Sequence, residues 1–457
     1  MTKLFFISHA FPPVGGPGVQ RAGKLVKYLS RAGYDMSVFC ASEKAYDIFD
    51  LNLLEDIPDK VKTYRIIAPA PYKLLKYFSI ISFEKKKLAL ENDRPEGLGE
   101  KKESLKTKVL CSAKNILRKI FNVIETIFFT PDIFVWWLPF VTAKAVVEIM
   151  KEKPAVVLAT GGPFSSFIVP FLLNKIFNVP YILDYRDAWT LNPYRVHTNP
   201  LKYKINTAIE NIILKNAAAV VLVTAHMKKD FEDKFTGLKG KFNLITNGYD
   251  SEDFEFNCRD NSADCGSAAG GEKFNITYTG TFTQSRRSYY FLKALCCVFD
   301  EKPELKNKVT VNFIGNVGDE CRELIKKFGL EENCKLYGYL PHSESVAHLK
   351  NSDTLLLVTG KDRSELTGKV FEYIYSKKPI FALTNPQGSL AGLLKEVGNS
   401  LVACHSDVDE IKRKLKAIIE KKVKFSINSD AVAKYSREAI AGQFDEIIQK
   451  IISGGKL

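Results

Sequence analysis

Along the chain, short and nearly unbroken apolar runs alternate with segments in which apolar residues return every third or fourth position. The runs in the first half are KLFFISH, DMSVFCA, VKTYRII, AVVLATG, PYILDYR, AAVVLVT and FNLITNG. Continuous apolar runs of this length predict strands buried on both faces of a parallel sheet, whereas strict alternation would have predicted a sheet with one wet face. Between them, Val19, Ala22, Leu25, Val26 and Leu29 mark one face of a helix that stops at Gly33, and residues 164–177 and 200–216 read as further helices. The alternation predicts a doubly wound α/β domain over residues 1–250. Residues 251–273 are acidic, small and glycine-rich with little periodicity, and read as a linker. Strand runs then restart with FNITYTGTF and continue through KVTVNFIG, CKLYGYL, DTLLLVTG, PIFAL and SLVACH, which predicts a second α/β domain over 274–428, closed by a charged helix at 407–422. The tail, 429–457, reads as one amphipathic helix over 429–452 that packs back on the first domain. Two such domains are expected to present the carboxyl ends of their strands to a shared cleft.

The totals narrow the class. The 457 residues are 46% hydrophobic and 26% charged, values of a globular chain with a sizeable core. Nine cysteines without a CxxC pair write neither a zinc knuckle nor a disulfide framework, which favours a cytoplasmic setting. The short apolar run at the start is a strand and not a signal peptide, and no uncharged stretch reaches the length of a spanning helix. The net charge of +14 calls for an anionic partner. Half of that excess falls between positions 72 and 119, where thirteen basic residues face six acidic ones. Residues 72–130 therefore read as a basic, aromatic-rich helical insertion, suited either to peripheral contact with an anionic membrane or to a solvated lysine face. The charge lacks any recognisable nucleic-acid reading module, so nucleic acid is not expected as a partner.

Candidate chemistry gathers at strand ends. FPPVGGPGVQR, residues 11–21, joins the first strand to the first helix, and its bare backbone at Gly15 and Gly16 suits close approach of a phosphate to a helix N-terminus. It lacks the third glycine of the dinucleotide fingerprint, where Arg21 stands. In the second domain SELTGKVFEYIYSKKPIFAL opens a helix after a strand. Thr367, Gly368 and Lys369 form a second anion site there, and Glu372, three residues on, can bind a sugar diol. Gly280 and Thr281 of YTGTF, followed by Arg286 and Arg287, add a loop and two guanidinium groups for a diphosphate. Asp184 and Asp187 of LDYRDAW are candidates to orient or deprotonate a hydroxyl, against a structural role as an Asp–Arg pair with Arg186. His9, at the end of the first strand, fits a loop anchor better than a base.

The segment TGKVFEYIYSKKPIFAL resembles the KxFEYxxxxKP region of GT-B glycosyltransferases of family 4, the retaining group 1 enzymes. PPVGGPGVQR, LDYRDAWTLNPY, ITNGYDSEDF and YTGTF also look like that family, in the same order, and together cover nearly the whole chain outside 72–130 and the linker tip. The resemblance implies two Rossmann-like domains facing a cleft, with the basic insertion in the first, and a subgroup carrying the DYRDAW motif. It implies that Glu372 holds the nucleotide ribose and that Lys369 and Arg287 or Arg286 neutralise the donor diphosphate. Gly15, Gly16, Gly280, Thr281, Thr367 and Gly368 would complete the donor site. Two departures stand out: Ser364 occupies the position of the family's other glutamate, with Glu365 beside it, and Arg186 replaces a histidine often found in the first domain.

The implied activity is hexosyl transfer, retaining, from a nucleotide-sugar to a glycan or polyprenyl-linked acceptor in cell-surface polysaccharide synthesis, at the cytosolic face of the membrane. Charge on the leaving diphosphate is met by fixed cations and donors, so no metal or other cofactor is demanded. Two further functions share the architecture: a sugar-nucleotide epimerase, and a catalytically impaired nucleotide-sugar-binding or scaffold protein, which Ser364 at an acidic position would suit. The KVFEYIYSKKP segment favours the transferase.

Overall fold

The computed structural model describes residues 1–71, 123, 126–192, 199–255, 273–283, 288–360 and 362–455. All of 72–122 in the proposed basic insertion, together with 124–125, the linker tip and the Arg286–Arg287 pair, fall outside these residues. Among the described residues thirteen strands form two sheets. The first holds β1 (Lys3–Ile7), β2 (Asp35–Ala41), β3 (Lys62–Ile66), β4 (Val156–Gly161), β5 (Tyr181–Tyr185), β6 (Ala219–Leu222) and β7 (Phe242–Leu244), in the order β3-β2-β1-β4-β5-β6-β7. The second holds β8 (Phe274–Thr279), β9 (Val309–Ile314), β10 (Cys334–Gly338), β11 (Thr354–Val358), β12 (Ile380–Thr384) and β13 (Ser400–Cys404), in the order β10-β9-β8-β11-β12-β13. β1 pairs in parallel with both β2 and β4, and β8 with both β9 and β11.

The apolar runs explain the sheets. Every residue of β1, β4, β5, β9, β11 and β12 is buried, because helices cover both faces. Each fully buried Leu, Ile or Phe contributes roughly 1.5–3 kcal/mol relative to exposure. Strands at the edges are more exposed: β3 has only Ile66 buried, and β7, β10 and β13 also carry half-buried or exposed residues. The order matters for function. In each sheet the chain runs outward through three strands and returns to the other side of the first, so the order reverses between β1 and β4 and again between β8 and β11. Open parallel sheets leave a crevice beyond the strand ends at such a reversal.

By internal contacts the chain divides into two units. One comprises residues 1–221, 231–243 and 446–457; the other comprises 222–230 and 244–445. In the first unit Gln449 donates to the Tyr34 hydroxyl at 2.7 Å. The tail differs from the single helix expected over 429–452. It forms two helices, Ser429–Ala433 and Arg437–Ile452. The break arises because the chain between them pairs with Tyr249: the Tyr249 amide donates to the Tyr435 carbonyl at 3.0 Å, and the Arg437 amide donates to the Tyr249 carbonyl at 2.7 Å. Gly248 permits this approach, since a Cβ there would stand 2.2 Å from the Tyr435 carbonyl oxygen.

Candidate active site

In the second unit the loop after β8 and the helix after β11 come together. The Lys369–Tyr375 helix starts at Gly368, and Lys369 extends its ammonium over Gly280: a Cβ at Gly280 would lie 1.7 Å from Nζ. The ammonium also lies 4.8 Å from the centre of the Tyr278 ring. Gly280 has φ +102° and Gly315 φ +115°, and a Cβ on Gly315 would stand 2.6 Å from the Gly280 carbonyl oxygen. Gly280 therefore has a twofold role, taking a backbone conformation that side chains rarely adopt and leaving the volume that the lysine fills. Gly315 was not singled out in the sequence, though a glycine closing the run KVTVNFIG is the usual mark of a close backbone approach.

Tyr373 fixes the geometry. Its buried hydroxyl accepts the Thr279 amide at 2.9 Å and lies 3.2 Å from the Thr279 hydroxyl, tying the helix to the end of β8. Glu372 is half-buried on the first turn, with Lys369. Thr367 carries a buried hydroxyl without a hydrogen-bond partner among the described residues, while Gly368 and Thr281 are exposed. Glu365, beside Ser364, is engaged locally: its carboxylate accepts the Gly360 amide at 2.7 Å. Ser364 bonds to the Asp362 carboxylate through both its amide, at 2.9 Å, and its hydroxyl, at 2.8 Å.

In the first unit the ends of β1, β4 and β5 carry the remaining candidates. Gly16 precedes the Pro17–Arg31 helix with φ +123° and open space where a side chain would go. Gly15 is held by its amide, which donates to the Ile48 carbonyl at 3.0 Å. Gly18 is bare for another reason than ligand approach: the Arg186 guanidinium fills the space, and a Cβ on Gly18 would stand 2.0 Å from Nη1. Arg186 donates through Nε to the Gly161 carbonyl at 2.9 Å and through Nη2 to the Gly162 carbonyl at 2.6 Å.

Two expectations for LDYRDAW change. Asp184 is fully buried and its ion-pair partner is Arg21, not Arg186, with Nη2 to Oδ1 at 2.7 Å and Nε to Oδ2 at 3.0 Å. Thr160 donates to the same carboxylate at 2.9 Å. With its oxygens committed and no solvent access, Asp184 cannot receive a substrate proton; it ties the first helix to β5. The arginine in the glycine loop is the other half of that tie. Asp187 is exposed, and its carboxylate lies 4.0 Å from the position a Cβ would take on Gly162, so it alone of the two is accessible. Gly162, with φ +93°, is a second position that sequence reading passed over, although its signal is the GGP that ends β4.

His9 is 1% exposed. It packs against Phe134 and, edge-on, against Trp137, with ring centres 4.5 and 4.9 Å away, and its Nδ1 bonds the Tyr46 hydroxyl. Burial pulls its pKa down to about 3, so the ring is neutral at physiological pH and anchors the loop. Beneath the DYRDAW turn, Thr190 donates to the buried Glu210, and Lys234 donates to Thr190 at 2.6 Å. Burial raises the Glu210 carboxyl to about 7.

No protein-family profile matches the sequence, and no curated protein matches it. Solved structures do. A sucrose-phosphate synthase from Thermosynechococcus elongatus superposes with a TM-score of 0.61 at 14% identity, covering 100% of both chains. Anabaena HepE, solved in complex with UDP, gives 0.60 at 14% identity over 98% of this chain and 100% of its own. A putative UDP-N-acetylglucosamine 2-epimerase from Listeria monocytogenes gives 0.53 at 12% identity over 99% of this chain and 97% of its own. At such identities the likeness speaks for architecture alone, and the architecture is that of the GT-B fold: two Rossmann-like α/β domains, one built on seven parallel strands and one on six.

Proposed function

We propose that this protein is a retaining glycosyltransferase that moves a hexosyl group from a nucleotide-sugar to a glycan or polyprenyl-linked acceptor. The observation that carries the reading is the Lys369 ammonium seated over Gly280 at the strand reversal of the second unit, with Glu372 on the same first turn. A cation fixed beside open backbone suits a leaving diphosphate, and a carboxylate nearby suits a ribose diol. That HepE, on the same fold, was solved in complex with UDP supports a nucleotide-sugar as donor. Gly15 and Gly16 remain the bare loop proposed for phosphate contact in the first unit, and Arg286 or Arg287 a further cation proposed for the donor. Asp187 orients the accepting hydroxyl, and in the retaining reaction the departing phosphate takes its proton. No metal or cofactor enters this scheme.

The membrane side of the proposal rests on the basic stretch and on exposed apolar residues beside it in sequence, among them Ile127, Phe128, Trp136 and Phe140. Such a mixture favours the cytosolic face of an anionic bilayer. Among the described residues no helix is long and apolar enough to cross a membrane.

The test is to incubate the pure protein with individual nucleotide-sugars and a polyprenyl-phosphate-sugar extract, following free nucleoside diphosphate and the donor's proton spectrum. Release of diphosphate with label entering lipid supports transfer. Conversion of the donor to its 2-epimer would support the second reading, which the likeness to the Listeria epimerase favours. Tight binding without either change would identify a scaffold protein.

A further inference from the structure

The bend that carries Asp187 is held at both of its ends. It begins after Tyr185, the last residue of β5, and closes at Trp189 and Thr190; these three residues are buried, while Asp187 between them is exposed. The Trp189 ring stacks on Phe164 with centres 5.2 Å apart, and the Tyr185 ring packs against Phe167 and Phe231 at 4.6 and 5.1 Å. Arg186 adds its bonds to the Gly161 and Gly162 carbonyls, and because a guanidinium keeps its proton these ties are the same at every physiological pH.

Glu210 is a tie of another kind. Its side chain comes from the Pro200–Asn216 helix and is fully buried. The Thr190 hydroxyl donates to its Oε2, and the Tyr185 hydroxyl lies close enough to act on the same carboxyl, so one group serves both ends of the bend. Facing it, Lys234 donates to the Thr190 hydroxyl at 2.6 Å and acts on Glu210 across it, while Tyr181 acts in turn on Tyr185. Glu210 Oε1 has no hydrogen-bond partner among the described residues. A buried carboxylate with one oxygen unbonded, meeting an ammonium across a hydroxyl, is under-compensated; once ionised it favours states in which the bend opens and water reaches it.

We propose that Glu210 is a positioning residue for Asp187: through Thr190 and Tyr185 it keeps the bend closed while it holds a proton, and lets the bend open more readily when it does not. The transferase reading enters only in what Asp187 does to an acceptor; the coupling of the bend to Glu210 lies wholly within the first unit. The carboxyl titrates at about 7 in the closed bend against an ordinary value of 4.5, so opening becomes easier as pH rises from about 4.5 to about 7 and levels off above that. Between pH 6 and 8 the opening constant should rise about tenfold.

Hydrogen exchange followed by mass spectrometry on the full-length protein reads that opening. Peptides covering 184–192 are compared at pH 6 and pH 8 in wild type and in Glu210→Gln, whose own change removes the intrinsic pH dependence of exchange. Wild type is expected to accelerate about tenfold more than Glu210→Gln over this interval, with peptides of the second unit changing equally in both. Lys234→Met removes the facing cation and should carry the rise on above pH 8, which gives the readout if Glu210→Gln does not fold. Equal acceleration in wild type and Glu210→Gln, or an unmoved profile in Lys234→Met, would overturn the coupling. In parallel, transfer to the polyprenyl-phosphate-sugar extract should fall about tenfold or more in Glu210→Ala and return in Glu210→Gln, while UDP affinity by calorimetry is unchanged in both. A loss that glutamine does not restore, or one shared by UDP binding, would reduce Glu210 to a structural role. The expected exchange pattern in a protein that transfers from no nucleotide-sugar would count against the transferase reading and leave the coupling standing.

Discussion

Gly280→Ala isolates the contact on which the donor site rests. The added methyl would begin 1.7 Å from Lys369 Nζ and 2.3 Å from its Cε. An ordinary contact needs about 3.4–4 Å, so the ammonium must retreat by about 2 Å, from hydrogen-bonding range of a phosphate to beyond it. Losing one charge-assisted hydrogen bond of about 1.5–3 kcal/mol weakens UDP by roughly 10- to 150-fold. Alanine at φ +102° adds a separate cost of about 1–3 kcal/mol to stability, so the melting temperature should fall as well. Calorimetric titration with UDP measures the first effect and thermal unfolding the second. The two are separated by a double-mutant cycle with Lys369→Met: if the methyl acts by displacing the ammonium, Gly280→Ala costs almost nothing further once the ammonium is gone. Additive losses, or undiminished UDP affinity in Gly280→Ala alone, would refute the claim that this glycine exists to seat the lysine.

Other outcomes follow from the same geometry. Glu372→Ala should lower turnover about a hundredfold or more while the melting temperature stays within a few degrees, and near-normal turnover would mean the ribose lies elsewhere. Asp184→Asn should cost about 3–5 kcal/mol, because it strands Arg21 in a buried setting; an unchanged urea midpoint would contradict the tie between the first helix and β5. Glu210 titrates near 7 when folded against 4.5 as its ordinary value, so the native state holds its proton more tightly. Stability from this group is therefore complete below about pH 4.5 and falls by about 3 kcal/mol as pH rises through 7. Tryptophan-monitored urea unfolding should show that loss in wild type and not in Glu210→Gln; equal slopes would dismiss it. Flotation with vesicles containing anionic lipid should recover the protein at low salt and lose it at high salt, and absence from the lipid fraction at low salt would remove the membrane from the proposal.

The fold was legible because its signal is redundant. Fully apolar strand runs admit only a sheet covered on both faces, and thirteen of them separated by helices leave few alternatives. Placement was legible where residue type and strand-end location coincide: Lys369 and Gly280 do come together after their strands. Partnership was not. Asp184 could be paired on paper with its neighbour Arg186, but Arg21 is 163 positions away and reaches it only through the β1–β4–β5 arrangement. Similarly, Gly18 looks like its neighbours Gly15 and Gly16, and nothing local says that it makes room for Arg186, just past the end of β5. The two-part tail escaped because the break is imposed by Tyr249, a contact that helical periodicity cannot express.

Tyr373 gives the second unit a property that outlasts any particular ligand. Because its hydroxyl clamps Thr279, the strand end bearing Gly280 and the helix bearing Lys369 shift as one piece. If the proposed donor does bind there, the cationic seat is set before it arrives, little ordering entropy is spent on capture, and selectivity among nucleotides must come from the surrounding loops.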